Sequence, residues 1–239
     1  MVNDGPVFMK VYLPDVSLIR PKAYPGERHH MGLFRRRRHE KIEYENIGVK
    51  ESLTEMKDLS EQIIDLSYSA ILFDSEDIAE QVNELEERLD KLLYNVRIGL
   101  MLAARNREEA EQLSGILQVA SAAEQIGNAS QDLMRIFEEG VEFRPFAPFF
   151  LKKGDEKIWA IRVSEDSDIN HRKISELGIE SETGSRIIAI KRGPRWIYDI
   201  EPERRIKDSD ILIARGVEDG LKELVAYAKG EVKWGKYRR

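Results

Sequence analysis

The chain contains no cysteine. Disulfide bonds, thiolate metal sites and a cysteine nucleophile are therefore excluded, so any metal would be held by oxygen or imidazole ligands. Long apolar runs are also missing, since the longest falls far short of the roughly 20 residues that a membrane-spanning helix needs. Residues 7–13 are interrupted by Lys10 and are not preceded by a basic segment. These absences predict a chain without a membrane span or a signal peptide.

Basic residues are in deficit over the whole chain. The 38 Lys and Arg against 44 Asp and Glu give a net charge of -6, whereas a nucleic-acid-binding domain normally carries a basic footprint. The exception is Arg35–Arg38, a basic block in an arm over residues 1–44 that four prolines interrupt. A solvated tail is favoured, and contact with an anionic membrane or nucleic acid stays open. Translation could begin at Met1 or at Met31.

Catalytic residues are scarce. Three of the four histidines lie in the arm, which leaves His171 as the only one in a predicted domain. No serine lies in a sequence that suggests a nucleophile elbow, and paired carboxylates alone are common on soluble helices. The sequence therefore predicts a protein that is not an enzyme.

Apolar residues three or four apart follow one another in three segments between residues 49 and 137. The first predicts a helix over residues 49–73, after which Ser75 offers an N-cap for a second helix. Asn106 is expected to cap a third helix, whose stripe from Ala110 to Phe137 is poor in bulky residues and allows close approach. Because the turns are short, the helices must pack as an up-down-up bundle over residues 45–140.

Strand-like patterns begin after an aromatic linker at residues 141–154. Strands are predicted at residues 158–163, 185–191, 196–200 and 211–214, and helices at 171–177 and 218–229. Gly193-Pro194 supplies a hairpin turn between two of the strands. A small α+β domain over residues 155–232 and a tail at 233–239 complete the predicted organisation.

Residues 75–90 resemble the second helix of the PhoU family, with Glu86 and Asp90 at its Glu-x-x-x-Asp positions. The matching stretch of the third helix is residues 124–128, where an asparagine has replaced the carboxylate. On a helix, residues four apart share a face. The resemblance implies that a hard cation, magnesium, manganese or iron, is held through oxygen by Glu86, Asp90, Glu124 and Asn128.

The alternative for these four residues is that they are solvated side chains on the flank of the helices. In that case their charges would be paired with Arg88, Lys91 or Arg97.

Residues 171–177, 183–193 and 207–216, together with Pro202, resemble the TrkA C-terminal domain, also called the regulator-of-conductance-of-potassium (RCK) C-terminal domain. Ser209 stands where that family usually has glycine. The chain lacks the Gly-x-Gly-x-x-Gly of the dinucleotide-binding domain that normally precedes this domain, so NAD binding is not expected.

The TrkA-C resemblance implies a domain that dimerises and accepts a small ligand, in some relatives a cyclic dinucleotide, where two copies meet. Arg186 would contact a phosphate, and the other implied positions are Ile187, Ile188 and Pro202. The alternative is that Ile188 and Ile190 belong to the core and that Arg186 is an ordinary exposed strand residue.

A PhoU-like unit followed by a TrkA-C domain is typical of archaeal proteins associated with potassium transport. The resemblance thus implies a cytoplasmic regulatory subunit that contacts a membrane cation channel or transporter at the inner face of the membrane. A single three-helix unit, where PhoU proteins mostly have two, predicts a homodimer. The alternatives are a metal-binding regulator of phosphate transport or signalling, and a nucleic-acid-associated protein that uses the basic arm.

Overall fold

The computed structural model describes residues 44–45, 47–141 and 155–235. The basic block, nearly all of the aromatic linker and the end of the tail lie outside these residues. The described residues belong to two compact units, a helical unit and an α+β unit. The predicted fold class is thereby confirmed. In neither unit is any described helix both long enough and apolar enough to cross a bilayer.

The helical unit consists of α1 (Val49–Phe73), α2 (Glu76–Ala103) and α3 (Arg107–Glu138), and each helix packs against the other two. The backbone turns at Asp74, which has a left-handed φ of 54°, and the Ser75 side chain then accepts a hydrogen bond from the Ile78 N–H. Asn106 caps α3 in the same way through the Glu109 N–H at 2.8 Å. The predicted helices and caps are confirmed.

The core of the helical unit lies mainly between α1 and α2. Helix α3 comes close to α2 at Gly127, where an added Cβ would lie 3.1 Å from Leu89 Cδ2 and 3.6 Å from Glu86 Cγ. Small residues therefore set the approach of α3, as expected. Before Ala120 no residue of α3 is buried, so Ala110 of the predicted stripe faces solvent.

The α+β unit contains β1 (Glu156–Arg162), α4 (Ile174–Leu177), α5 (Ile179–Thr183), β2 (Ser185–Arg192), β3 (Arg195–Ile197), β4 (Ile211–Val217) and α6 (Glu218–Ala228). Its strands form an antiparallel sheet in the order β1-β4-β2-β3. Helix α6 packs on one face of this sheet, where the apolar core includes Ile161, Ile190, Leu212, Leu221 and Leu224.

Several bounds differ from the sequence prediction, among them those of β4, which extends to Val217 and not only to Ala214. Helix α4 begins at Ile174, because His171 has a φ of 62° that an α-helix cannot contain. Helix α5 was not predicted, and it lies between Gly178 and Gly184, both in the left-handed conformation. Strand β3 ends at Ile197 because its ladder with β2 has only three residue pairs.

Ser209 is a further residue with a left-handed backbone, at a φ of 63°. Glycine adopts this conformation at low cost, whereas a residue with a Cβ is disfavoured there. The turn before β4 thus explains why glycine is usual at this position, and the fold accommodates the serine.

Gly220 permits the contact between α6 and the end of α5. A Cβ at this position would overlap the carbonyl oxygen of Thr183 and lie 3.2 Å from Ser185 Oγ. We expect Gly220→Ala to destabilise the α+β unit by about 1–3 kcal/mol, because α6 must move off the sheet. Thermal unfolding followed by circular dichroism would measure this change.

Lys222→Ala on the same helix is the matched control. Its ammonium group is solvent-exposed and pairs with Glu218 and Asp219, so no measurable change in melting temperature is expected. Equal stability of the Gly220→Ala variant and the unmodified protein would contradict the close approach of α5 and α6.

Candidate functional site

The sheet of the α+β unit has a second face, opposite to α6. Successive side chains of a strand point to opposite faces, and Ile161, Leu212 and Ala214 point toward α6. Cross-strand partners point to the same face, so the residue pairs between neighbouring strands show which other side chains point to the second face. The second face carries Ile158, Ala160, Arg162, Arg186, Ala189, Lys191, Ile211, Ile213 and Arg215.

Positive charge collects on the second face. Arg186 on β2 is the direct cross-strand partner of Arg215 on β4. Arg162 and Lys191 are both partners of Ile211, from β1 and β2 respectively. Glu156 contributes one carboxylate, whose Oε2 lies 3.1 Å from Arg215 Nε. This face therefore has an excess of cationic side chains in a chain whose net charge is -6.

The centre of the second face is apolar. Ile213 is the cross-strand partner of Ala160 on one side and of Ala189 on the other. Ile158, Ile211 and Ile213 are buried. Because this centre is buried, a ligand would meet the cationic side chains around it, such as the exposed Arg186, and these favour an anionic group such as a phosphate.

The four residues predicted to bind the ligand lie in different surroundings. Arg186 is exposed on the second face, whereas Ile187 belongs to the core beneath α6. Ile188 is buried at a bulge where the β2–β4 register shifts. Pro202 is exposed in the loop between β3 and β4, and its carbonyl oxygen accepts a hydrogen bond from the Ser175 N–H at 2.8 Å.

A buried ion pair holds the loop that leads into β4. Asp210 is 0% exposed and accepts hydrogen bonds from Arg192 Nε and Nη2, each at 2.8 Å. It also accepts a bond from the Lys207 N–H, and Arg192 donates to the Arg205 carbonyl. The hydrogen bonds to Asp210 raise the pKa of the Arg192 guanidinium. This network fixes the start of β4 and thereby the position of Arg215.

Sequence reasoning did not single out Arg162, Lys191 and Arg215. For Arg162 and Lys191 the only signal was the period-2 alternation within the predicted strands, which puts each on the polar side of its own strand. Arg215 lies one residue beyond the predicted end of its strand. Which of these sides coincide in one sheet depends on strand order and register, and neither is encoded locally.

The predicted metal residues of the helical unit lie at the contact between α2 and α3. Glu86 is only 6% exposed, and its Oε2 accepts a hydrogen bond from Gln131 Nε2 at 2.8 Å. Asn128 Nδ2 donates to Glu124 Oε1 at 2.7 Å. Within the parts of the chain that the structure describes, no three histidine or carboxylate side chains are grouped to hold one metal ion.

Electrostatic interactions connect the acidic residues of this contact. Burial, followed by the charges of Asp90, Glu87 and Glu124, raises the pKa of Glu86 to about 7. The pKa of Asp90 is also raised, first by burial and then by Glu124. Three carboxyl groups of the predicted set are therefore close enough to repel one another.

Arg88 does not pair with Glu86. It forms a bidentate ion pair with Glu55, at 2.7 and 3.1 Å, and its Nη1 lies 2.7 Å from Glu45 Oε2. These contacts join α2 to α1 and to the segment that precedes α1. Glu86 is thus a buried carboxylate and not a solvated residue of the flank.

Comparison with known families finds one matching domain family for each unit. Residues 53–137 match the PhoU domain and residues 159–229 match the TrkA-C domain. A curated relative, "Probable potassium channel protein 2" of Methanocaldococcus jannaschii, is 25% identical over 140 residues. The match covers 56% of this chain and 36% of that relative, so the chain spans about a third of its length.

Two solved structures are similar to the α+β unit. One is the RCK_C domain dimer of S. agalactiae BusR in complex with c-di-AMP, 31% identical over 31% of this chain and 91% of that chain, with a TM-score of 0.29. The other is the RCK C domain of the potassium transport protein KtrA in complex with c-di-AMP, 26% identical over 34% and 94%, with a TM-score of 0.29. By the family matches, this chain contains a PhoU domain at residues 53–137 followed by a TrkA-C domain at residues 159–229.

Proposed function

We propose that this protein is a cytoplasmic regulatory subunit of potassium transport, which binds a cyclic dinucleotide through a dimeric TrkA-C domain and acts on a membrane cation channel or transporter. The TrkA-C match and the similarity to an archaeal protein named as a potassium channel support this role. In this proposal the protein works by binding alone and catalyses no reaction.

The cross-strand pair of Arg186 and Arg215 carries the proposal. Two guanidinium groups on adjacent strands can donate several hydrogen bonds to one phosphate. A phosphate bound here would add to the Glu156 carboxylate as a counter-charge for the two arginines.

A dimer suits the symmetry of the ligand. A cyclic dinucleotide has two phosphates related by a two-fold axis, and two copies of this domain would present two such arginine pairs. The same ligand type is bound by the RCK_C dimer of BusR. A ligand that contacts both copies binds one dimer geometry better than another, and a difference of about 1–3 kcal/mol is enough for useful control.

A second candidate function is a metal-dependent regulator of phosphate transport. The observation in its favour is the burial of Glu86 beside Asp90 and Glu124. A divalent cation would offset the mutual repulsion of these carboxylates, and their oxygens suit magnesium or manganese. Binding would require a shift of side chains, since Asn128 and Gln131 now hydrogen-bond to Glu124 and Glu86.

We expect cyclic di-AMP to bind the full-length protein with a measurable heat in calorimetric titration. Arg186→Gln should weaken this binding about 10- to 100-fold, because a charged hydrogen bond to phosphate is lost. Arg195→Gln is the matched control. This exposed arginine of β3 is the cross-strand partner of Arg192, whose side chain points away from the second face, so Arg195 also points away from it. No heat at saturating concentrations, or full affinity of the Arg186→Gln variant, would contradict the proposed ligand site.

In cells, deletion of the gene should change potassium uptake, which rubidium uptake measures. We expect the unmodified gene to restore potassium uptake that responds to the level of cyclic di-AMP. The Arg186→Gln gene should produce the protein, but uptake should no longer respond to cyclic di-AMP. If deletion left uptake unchanged over a range of external potassium, the proposed role in potassium transport would be wrong, whatever the ligand.

Glu86→Gln tests the acidic contact. A carboxyl group with a raised pKa contributes stability that is complete below its ordinary pKa of 4.5 and is lost as the pH rises through about 7. We therefore expect the variant to be more stable than the unmodified protein at pH 8, by about 1–3 kcal/mol, and to lose this advantage at pH 5. Thermal melts at the two pH values would measure the difference.

The exposed Glu84 on the same helix provides the control variant, Glu84→Gln. If the metal function is correct, manganese at pH 8 should raise the melting temperature of the unmodified protein and of Glu84→Gln, but not of Glu86→Gln. A metal-independent melting temperature for all three proteins would remove the second candidate function and leave the pH prediction standing.

A further inference from the structure

Helix α3 has an exposed surface with very little charge. Between residues 112 and 131 the only charged side chain is Glu124, although 34% of the chain is charged. Most of these twenty residues are exposed or half-buried. Loss of charged residues from an accessible surface is the compositional mark of a protein–protein contact.

The apolar residues of this surface form a regular stripe. We call it the outer stripe of α3; its spacing alternates between four and three, which is that of a helix–helix seam. Val119 is 65% exposed and Ile126 is 36% exposed. The members of the outer stripe are Gly115, Val119, Ala122, Ile126, Ala129 and Leu133.

The outer stripe is distinct from the face of α3 that meets the other two helices. That inner face carries the buried residues of α3, which are Ala120, Gly127, Ser130 and Met134. At 100° per residue, the two sets lie roughly 105° apart around the helix axis. The helical unit therefore buries one stripe of α3 and leaves a second one accessible.

The sizes of the side chains in the outer stripe are self-complementary. Small and large residues alternate along it, so that Gly115, Ala122 and Ala129 are each followed by a larger side chain. If a second α3 lies antiparallel about a two-fold axis between residues 122 and 126, every small residue meets a large one. The resulting pairs are Gly115 with Leu133, Val119 with Ala129, and Ala122 with Ile126.

A parallel arrangement would lack this fit, because each residue would face its own copy. Gly115 would then oppose Gly115 and leave a gap, while Val119 and Ile126 would crowd their copies. An anionic membrane is also a poor occupant, since no lysine or arginine lies between residues 112 and 131 to flank the stripe.

We propose that the outer stripe of α3 binds a second copy of this chain, with the two α3 helices antiparallel across a two-fold axis. Interfaces of this type are isologous, because the same patch serves both copies. Large residues of one stripe would fill the spaces over the small residues of the other, as in the packing of helix bundles. This contact is independent of the proposed dimer of TrkA-C domains and would add a second self-association surface.

The absence of cysteine allows a direct test by cross-linking. Full-length chains with Val119→Cys and with Ala129→Cys, carrying different tags, would be co-expressed and treated with a short bifunctional maleimide. We expect a cross-linked heterodimer, because residues 119 and 129 meet across the axis. Val119→Cys alone should not cross-link, because the two copies of residue 119 would lie about 15 Å apart along the helices.

Two further variants separate this contact from association elsewhere in the chain. Adding Ile126→Lys to both cysteine chains should abolish the cross-link, whereas Thr54→Lys, on an exposed position of α1, should leave it unchanged. Failure of the mixed chains to cross-link, or a cross-link of Val119→Cys alone as strong as that of the mixture, would overturn the proposal.

Discussion

The central position of β4 is the constraint on which the α+β unit depends. β4 pairs with β1 on one side and β2 on the other, so its alternating side chains supply both faces of the sheet. Leu212 and Ala214 pack beneath α6, while Ile213 and Arg215 lie on the second face. A shift of β4 by one residue would exchange these two sets, and it would bury a guanidinium group in the core at a high free-energy cost.

The two arginine contacts of this unit have different physical roles. Arg192 pairs with a fully buried carboxylate, Asp210, that also accepts a backbone hydrogen bond, so its geometry is determined by the fold. Arg186 and Arg215 lie opposite each other on adjacent strands, and Arg186 is exposed. Because β4 continues into α6 after Val217, a ligand bound at Arg215, as in the proposed function, would act directly on the strand that leads into this helix.

In the helical unit, the three helices bury only part of their apolar surface against one another. α1 and α2 contribute most of the apolar core, and α3 approaches α2 through Gly127. This close approach also buries Glu86, whose carboxyl group accepts a hydrogen bond from Gln131. The burial raises the pKa of this carboxyl group. A short bundle of this kind has too few helices to cover every apolar stripe, so the surplus on α3 is available for contact with another chain.

The sequence by itself determined the elements whose signals are local. The 3.6-residue periodicity identified α1, and the polar residues Ser75 and Asn106 identified the starts of α2 and α3, because a cap bonds only to its own helix. The family motifs identified both domains, and they predicted Arg186 as a ligand residue. Only the tertiary structure decided that Arg186 faces Arg215, that Ile187 is in the core and that Glu86 is buried. The physical reason is that strand register and helix rotation are set by packing between distant segments, which no local pattern contains.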